Sequence, residues 1–233
     1  MRAEQAIFTS IRSSTRQGYH LAARSPGVGG HLGQQLYQWG PSHGSLLDDK
    51  ITASSLNSFQ LSSDWIVVSR TVYGAPEYSG RGALQVVTLI LAVRRSQLSA
   101  FDDNPVSLAR TALTLGYLRL PASVPETLPQ ITLPDRALLA ASAATRHSLD
   151  DSILDRSLRL LGQGQRIALV GADDPVGTMA HLIRRIPAKI RAETSFTTGL
   201  RPSRQRPFRV HIVPRIDADI QRRLAAQGIH ALG

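Results

Sequence analysis

The first half of the chain carries the apolar patterns of β-strands. Two short apolar runs flank the polar stretch 13–18, which is typical of a hairpin. The run from Ala83 to Val93 is the most apolar part of the sequence and predicts a buried strand. Strands are predicted at Gln5–Arg12, Tyr19–Arg24, Ser58–Leu61, Trp65–Tyr73 and Ala83–Val93. Short helices are predicted at Leu32–Trp39 and after the cap formed by Asn104 and Pro105.

The pattern changes after a proline-rich stretch, where four prolines fall between positions 121 and 134. Helices are then predicted at Asp135–Thr145, from Asp150 or Asp151 to Leu161, from Asp173 or Asp174 to Arg185 and at Asp217–Gln227. Strands are predicted at Arg166–Val170, Ser195–Thr198 and Phe208–Val213. We therefore predict an α+β protein with a mainly antiparallel β-sheet domain at 1–120, a linker at 121–134 and a smaller, helix-rich α/β domain at 135–233.

Composition excludes several classes of protein. The 233 residues include no cysteine, which excludes disulfide frameworks, cysteine-based zinc sites and thiol nucleophiles. The longest apolar stretch, 83–93, is about half of the roughly 20 residues that a membrane-spanning helix needs. The start of the chain shows no signal-peptide pattern. We expect a soluble, cytoplasmic protein that does not bind membranes.

Charge is distributed unevenly along the chain. The formal net charge is +10, and residues 127–233 contribute +7 of it, from 16 basic and 9 acidic groups. The segment 184–209 alone carries eight basic side chains and one acidic one, with Phe196 and Phe208 between them. Such a segment is a solvated face, a site for an acidic protein or a site for nucleic acid. The partner-binding candidates are Arg184, Arg185, Arg201, Arg204 and Arg206.

Three short motifs resemble known sites but lack a required feature. Residues 40–44 fit the G-x-S-x-G pattern of serine hydrolases, but a helix rather than a strand is predicted before Ser42. The glycines of 27–33 have the wrong spacing for a dinucleotide-binding turn, and 171–178 lacks the lysine of a phosphate-binding loop. The histidines include no pair at i, i+4, so no metal is expected, and we expect no cofactor. An enzyme with a site near Ser42 and His43 remains an alternative.

Several segments together resemble bacterial GTPase-associated proteins, with their N-terminal domain of type 2 followed by their middle domain. The resemblance to the first domain rests on the segments 4–10, 18–27, 39–44, 69–72 and 77–82, and that to the second on the R-x-x-x-S-F-T-T-G pattern at 191–199. It implies work beside a small GTPase in bacterial conflict or signalling systems. If the family has a functional surface, the loop residues that it points to are Ser42, His43, Arg70, Tyr78 and Arg81.

These observations lead to one leading hypothesis and two alternatives. The leading hypothesis is a non-catalytic adaptor or regulatory protein whose basic residues contact a GTPase or another acidic protein. The first alternative is a nucleic-acid-binding module that uses the segment 184–209. The second alternative is the enzyme with a site near Ser42 and His43.

Overall fold

The computed structural model describes residues 1–12, 17–77, 83–135 and 149–233. Within these ranges, ten strands form one mixed sheet. The strands are β1 (Arg2–Arg12), β2 (Gln17–Arg24), β3 (Ser54–Leu61), β4 (Trp65–Pro76), β5 (Leu84–Arg94), β6 (Ile131–Thr132), β7 (Arg166–Val170), β8 (Phe196–Thr197), β9 (Val210–Val213) and β10 (Ile229–Leu232). The helices are α1 (Gly30–Trp39), α2 (Pro105–Thr114), α3 (Asp151–Gly162), α4 (Pro175–Arg185), α5 (Ala188–Arg191) and α6 (Ala218–Ala225), with a 3-10 helix at Arg95–Phe101.

The sheet has an antiparallel part and a parallel part. Its strand order is β10-β7-β9-β8-β3-β4-β5-β1-β2, and the short β6 pairs with β1. Neighbouring strands in the part β3-β4-β5-β1-β2 pair antiparallel, whereas those in the part β10-β7-β9-β8 pair parallel. Antiparallel pairing of Asn57 with Thr197 and of Ser58 with Phe196 joins the two parts. The predicted α+β class is confirmed.

Four of the described helices begin at a side-chain cap. The side chain of Asn104 accepts hydrogen bonds from the backbone N–H groups of Val106 and Ser107, and Pro105 opens α2. Asp150, Asp174 and Asp217 cap α3, α4 and α6 in the same way. These caps satisfy N–H groups that the first helical turn leaves without a partner, so the helix starts are set locally.

Each strand divides its side chains between two faces of the sheet. We call the face covered by α2, α3 and α4 the helical face, and the opposite face, covered by α1, α6 and the loop 40–53, the loop face. On β5, Leu89 and Leu91 belong to the core of the helical face, whereas Ile90 belongs to that of the loop face. This alternation follows from the two-residue period of a strand and makes β5 buried on both sides, as its continuous apolar run predicts.

The structure adds elements that the sequence analysis missed. No element was predicted after the helix at Asp217–Gln227, but residues Ile229–Leu232 form β10 and pair with β7. The proline-rich stretch contains β6, and the amide of Gln5 donates a hydrogen bond to the carbonyl of Pro129. The predicted helix at Asp135–Thr145 lies, apart from its first residue, outside the described residues. The division into domains at 1–120 and 135–233 stays a prediction. None of the described helices is long and apolar enough to cross a membrane.

Candidate functional site

The loop after α1 is held close to the sheet by most of its residues. Trp39 stacks on Phe59 with a ring-centroid distance of 4.1 Å, and Pro41 is buried. A Cβ atom at Gly40 would lie 2.3 Å from the ring of Phe8, so no larger residue fits there without a shift. Gly44 has a φ of +72°, a conformation that favours glycine. The motif at 39–44 is therefore mostly explained by packing and backbone geometry.

Ser42 and His43 are the exceptions in this loop. Both are exposed, and neither side chain has a hydrogen-bond partner among the described residues. The backbone of Ser42 is fixed, because its N–H donates to the hydroxyl of Ser45 and its carbonyl accepts from the Ser45 N–H. The backbone of His43 lies close to the Tyr19 hydroxyl, whose pKa is raised mainly by burial. Two polar side chains are thus presented to solvent on a fixed backbone.

A distant part of the chain fixes the other end of this loop. The N–H of Arg201 donates to the carbonyl of Ser45 at 2.8 Å, and the Arg201 guanidinium donates to the carbonyl of Leu46 at 3.0 Å. The Arg206 guanidinium donates to the hydroxyl of Ser45 at 3.3 Å. We call the segment 199–206 the loop clamp. It connects residues that lie about 155 positions apart in the sequence, which no local pattern reveals.

A row of buried polar side chains runs across the sheet beneath the loop. The carboxamide of Asn57 occupies its centre: its oxygen accepts from the hydroxyls of Ser55 and Thr197, each at 2.7 Å, and its nitrogen donates to those of Ser69 and Thr71, each at 3.3 Å. The Thr88 hydroxyl extends the row and lies 3.1 Å from the Thr71 hydroxyl. The hydroxyls of Ser55 and Thr197 lie 3.0 Å apart. We call Ser55, Asn57, Ser69, Thr71, Thr88 and Thr197 the polar row. A cavity of only about 10 Å³ separates it from Gly40 and Pro41.

Two basic residues are buried in this region, Arg206 at the end of the loop clamp and His211 on β9. Arg206 is 6% exposed, no carboxylate of the described residues pairs with it, and burial lowers its pKa to about 10. His211 directly opposes Thr197 in the parallel pairing of β8 and β9. Burial lowers the pKa of His211 to about 4, and the charges of Arg166 and Arg206 act in the same direction. His211 is therefore neutral at pH 7, because a second buried cation would find no counter-charge.

The five arginine candidates do not form one surface. Arg184 and Arg185 lie on α4, which covers the helical face, and Arg185 pairs with Asp151 at 3.0 Å. Arg201 and Arg206 belong to the loop clamp on the loop face, where their guanidinium groups bind backbone and hydroxyl oxygens. Arg206 is thus an interior residue. Arg204 is exposed between them, and no described residue pairs with its side chain.

The remaining loop candidates are also separated. The side chain of Arg70 points to the helical face, where it donates to the carbonyl of Leu118 at 3.3 Å, so it cannot join Ser42 in one pocket. Burial, with a smaller contribution from Arg119, lowers the pKa of Arg70. Tyr78 and Arg81 lie outside the described residues. Within the described part of the chain, no three His, Asp or Glu side chains come together as metal ligands.

The second motif segment, 191–199, stabilises the junction between the two parts of the sheet. Arg191 donates to the carbonyls of Ile186 and Arg184 at the end of α4. The Thr198 hydroxyl accepts the N–H of Leu56 at 2.8 Å, and a Cβ atom at Gly199 would lie 2.7 Å from a backbone oxygen. The sequence signal for this role is the alternation of Ser, Thr and Asn in β3, β4 and β8, from which no buried polar row was predicted.

Comparison with known proteins identifies a family for the first part of the chain. Residues 2–134 match the family model described as GTPase-associated protein 1, N-terminal domain type 2. No curated protein and no solved structure matches the chain. The matched residues include β1 to β6, α1 and α2, with the loop that presents Ser42 and His43. Because the match covers more than half of its residues, the chain belongs to the GTPase-associated protein 1 family with an N-terminal domain of type 2.

Proposed function

We propose that this protein is a non-catalytic adaptor or regulatory protein of a cytoplasmic, GTPase-centred bacterial conflict or signalling system. The surface that contacts its partner is formed by Ser42 and His43 together with Arg204 of the loop clamp. One observation carries the proposal: in a motif whose other residues are explained by packing, Ser42 and His43 are exposed and unpaired among the described residues. The family membership supports a GTPase as the class of partner.

Binding fits this arrangement better than catalysis. A serine nucleophile needs a general base in hydrogen-bond reach, and no described side chain is bonded to the Ser42 hydroxyl. Arg70 lies on the opposite face of the sheet. A fixed backbone that presents polar side chains, by contrast, lowers the entropic cost of binding another protein.

The charge of the surface favours an acidic partner. Arg204 lies in the turn closed by the hydrogen bond from the Arg206 N–H to the Ser203 carbonyl, and its guanidinium is exposed. The net charge of the chain is +10. Both features attract an acidic protein surface and increase its association rate.

The test is capture of a GTPase from the native host, followed by measurement of affinity with the purified pair. We expect Arg204→Glu to weaken binding about tenfold, which corresponds to about 1.4 kcal/mol of binding free energy. His43→Ala should weaken binding as well. The matched control is Arg184→Glu, which makes the same change at an exposed residue of the helical face and should leave the affinity unchanged.

Each contrary outcome has a distinct meaning. If no GTPase is enriched, or if Arg184→Glu and Arg204→Glu weaken binding equally, the proposal is wrong. The capture is run with and without nuclease, because loss of the partner after nuclease treatment would replace the proposal with nucleic-acid binding. Steep dependence of that complex on salt would confirm the replacement.

A further inference from the structure

Among the residues that the structure describes, one edge of the sheet is open along a groove. β2 is the last strand in the sheet order. Among the described residues, its backbone has two partners outside the pairing with β1: the N–H of Leu128 donates to the carbonyl of Arg24, and the His20 ring lies 3.2 Å from the carbonyl of Gln17. A groove of about 340 Å³ follows this edge. It is lined by residues 20–24 of β2, by Gly33 and Tyr37 of α1, and by Glu126. The unpaired backbone groups of such an edge are a template for another strand.

The length of β2 distinguishes it from the other end of the sheet. β2 has 8 residues and contains neither proline nor lysine, whereas β10 at the opposite end has 4 residues. Proteins usually protect a long edge with proline, lysine or a cover. A β-bulge is a further way to protect an edge, and β2 contains one. Ile7 pairs with Ala23 and Phe8 with Leu21, so Ala22 has no partner on β1.

The groove carries charges that are not paired within the described protein. No described carboxylate pairs with Arg24. Its guanidinium lies over Gly33, because a Cβ atom added at Gly33 would be 3.5 Å from an Arg24 guanidinium nitrogen. Glu126 has no ion-pair partner either, within the same ranges. Tyr37 is 48% exposed, and its ring lies 5.8 Å from that of His20. An extended peptide would place its backbone along β2, an acidic side chain at Arg24 and a basic one at Glu126.

We infer that the outer edge of β2 binds an extended segment of the partner, with an acidic side chain at Arg24, as an additional strand of the sheet. The inference rests on the proposed function for the identity of the partner, a GTPase, and adds the way in which it is held. Main-chain hydrogen bonds supply affinity in this mode, and the flanking groove supplies specificity. A second copy of the chain fits less well, because two molecules of net charge +10 repel each other and the bulge at Ala22 disrupts flat edge-to-edge pairing.

The groove is continuous with the surface assigned to partner binding. Tyr37 lies in the last turn of α1, directly before the loop that presents Ser42 and His43. The ring of Phe8 contacts both parts, since it lies 5.8 Å from the Tyr37 ring and against Gly40. A single partner can therefore occupy the edge of β2 and the loop together.

Hydrogen exchange of the full chain, free and in complex with the captured GTPase, tests the inference. We expect amides between Gly18 and Ala23 to exchange more slowly in the complex. Ala22→Pro removes the N–H of the residue that has no partner on β1, and Arg24→Glu reverses the unpaired charge; each should weaken binding about tenfold. Arg156→Glu, on the exposed side of α3, is the matched control and should have no effect.

The outcomes separate this inference from the proposed function. If the GTPase binds and the β2 amides exchange equally fast in both states, the inference is wrong and the proposed function stands. If no GTPase binds, both are wrong. If the free chain sediments as a dimer that Ala22→Pro dissociates, the occupant is a second copy and the inference is overturned. Should Ala22→Pro fail to fold, the exchange data and Arg24→Glu still decide.

Discussion

The two faces of the sheet are built on different principles. The helical face is an apolar core in which β-strand side chains pack against α2, α3 and α4. The loop face has a smaller apolar core and contains the polar row, the buried guanidinium of Arg206 and the neutral imidazole of His211. Of the exposed candidate residues, Ser42, His43 and Arg204 lie on this second face, whereas Arg184 and Arg185 lie on the helical face. The comparison shows that one sheet combines a face that stabilises the fold with a face that positions a loop.

The difference has an energetic reason. Burial of apolar side chains is non-directional and contributes most of the stability of a domain. A buried hydrogen bond contributes only about 1 kcal/mol net, but its geometry is specific, and leaving one partner unsatisfied costs about 1–3 kcal/mol. The polar row therefore adds little stability but restricts how β8, β3, β4 and β5 align. That alignment places the loop clamp beside the loop.

The largest expected effect is on the helical face. Leu91→Ala removes a fully buried side chain from the centre of β5 and should lower the free energy of unfolding by about 2–5 kcal/mol. Ile90→Ala, at the next position but on the loop face, should cost less, because Ile90 already borders a small cavity. Urea denaturation of the two variants measures the difference. Equal losses would contradict the distinction between the faces.

The second effect depends on pH and on the loop face. His211 has a pKa of about 4 when folded and 6.5 when unfolded, so above pH 6.5 it is neutral in both states and has no effect. As the pH falls from 6.5 towards 4, the unfolded chain binds a proton that the folded chain does not. Stability should then fall by up to about 3 kcal/mol.

The variant His211→Leu should remove this part of the acid sensitivity, because leucine takes up no proton. Denaturation curves at pH 7, 6 and 5 for both proteins isolate the contribution of His211 from that of the carboxylates. Parallel pH profiles for the two proteins would show that the imidazole titrates normally.

The smallest effects distinguish positions within the polar row. Asn57→Ala removes the central carboxamide and leaves several hydroxyls without their partner, so it should cost about 1–3 kcal/mol. Thr88→Val, at the end of the row, removes one hydrogen bond to Thr71 and should cost about 1 kcal/mol or less. Thermal unfolding measures both. A larger cost at Thr88 would mean that the row is not organised around Asn57.

Part of this fold could be predicted from the sequence. The strands β1, β2, β4 and β5, and the capped starts of α2, α3 and α4, follow from alternation and from Asn or Asp before proline or an apolar stripe. β10 was missed because four residues after a glycine carry too little periodicity to distinguish a strand. The proline-rich stretch gave no sign that it packs along β1, since that contact depends on a strand more than 120 residues earlier.

The candidate site was less predictable than the fold. The motif at 39–44 pointed to Ser42 and His43, and both are exposed. Arg206, however, has the same sequence signal as Arg204, since both belong to one basic segment, yet one is interior and the other exposed. The two arginines have the same charge and lie two positions apart. Arg206 differs because its guanidinium contacts Ser45, which lies 161 positions away in the sequence.

The sequence by itself determined the kind of local structure at most positions, the absence of cysteine chemistry and the excess of positive charge. These properties depend on near neighbours or on composition alone. Only the tertiary structure decided which arginines reach solvent, which face of the sheet carries the polar row and which strand is left at the open edge. Those outcomes depend on how strands far apart in the chain pair, and a two-residue period specifies which side chains share a face but not which strands lie side by side.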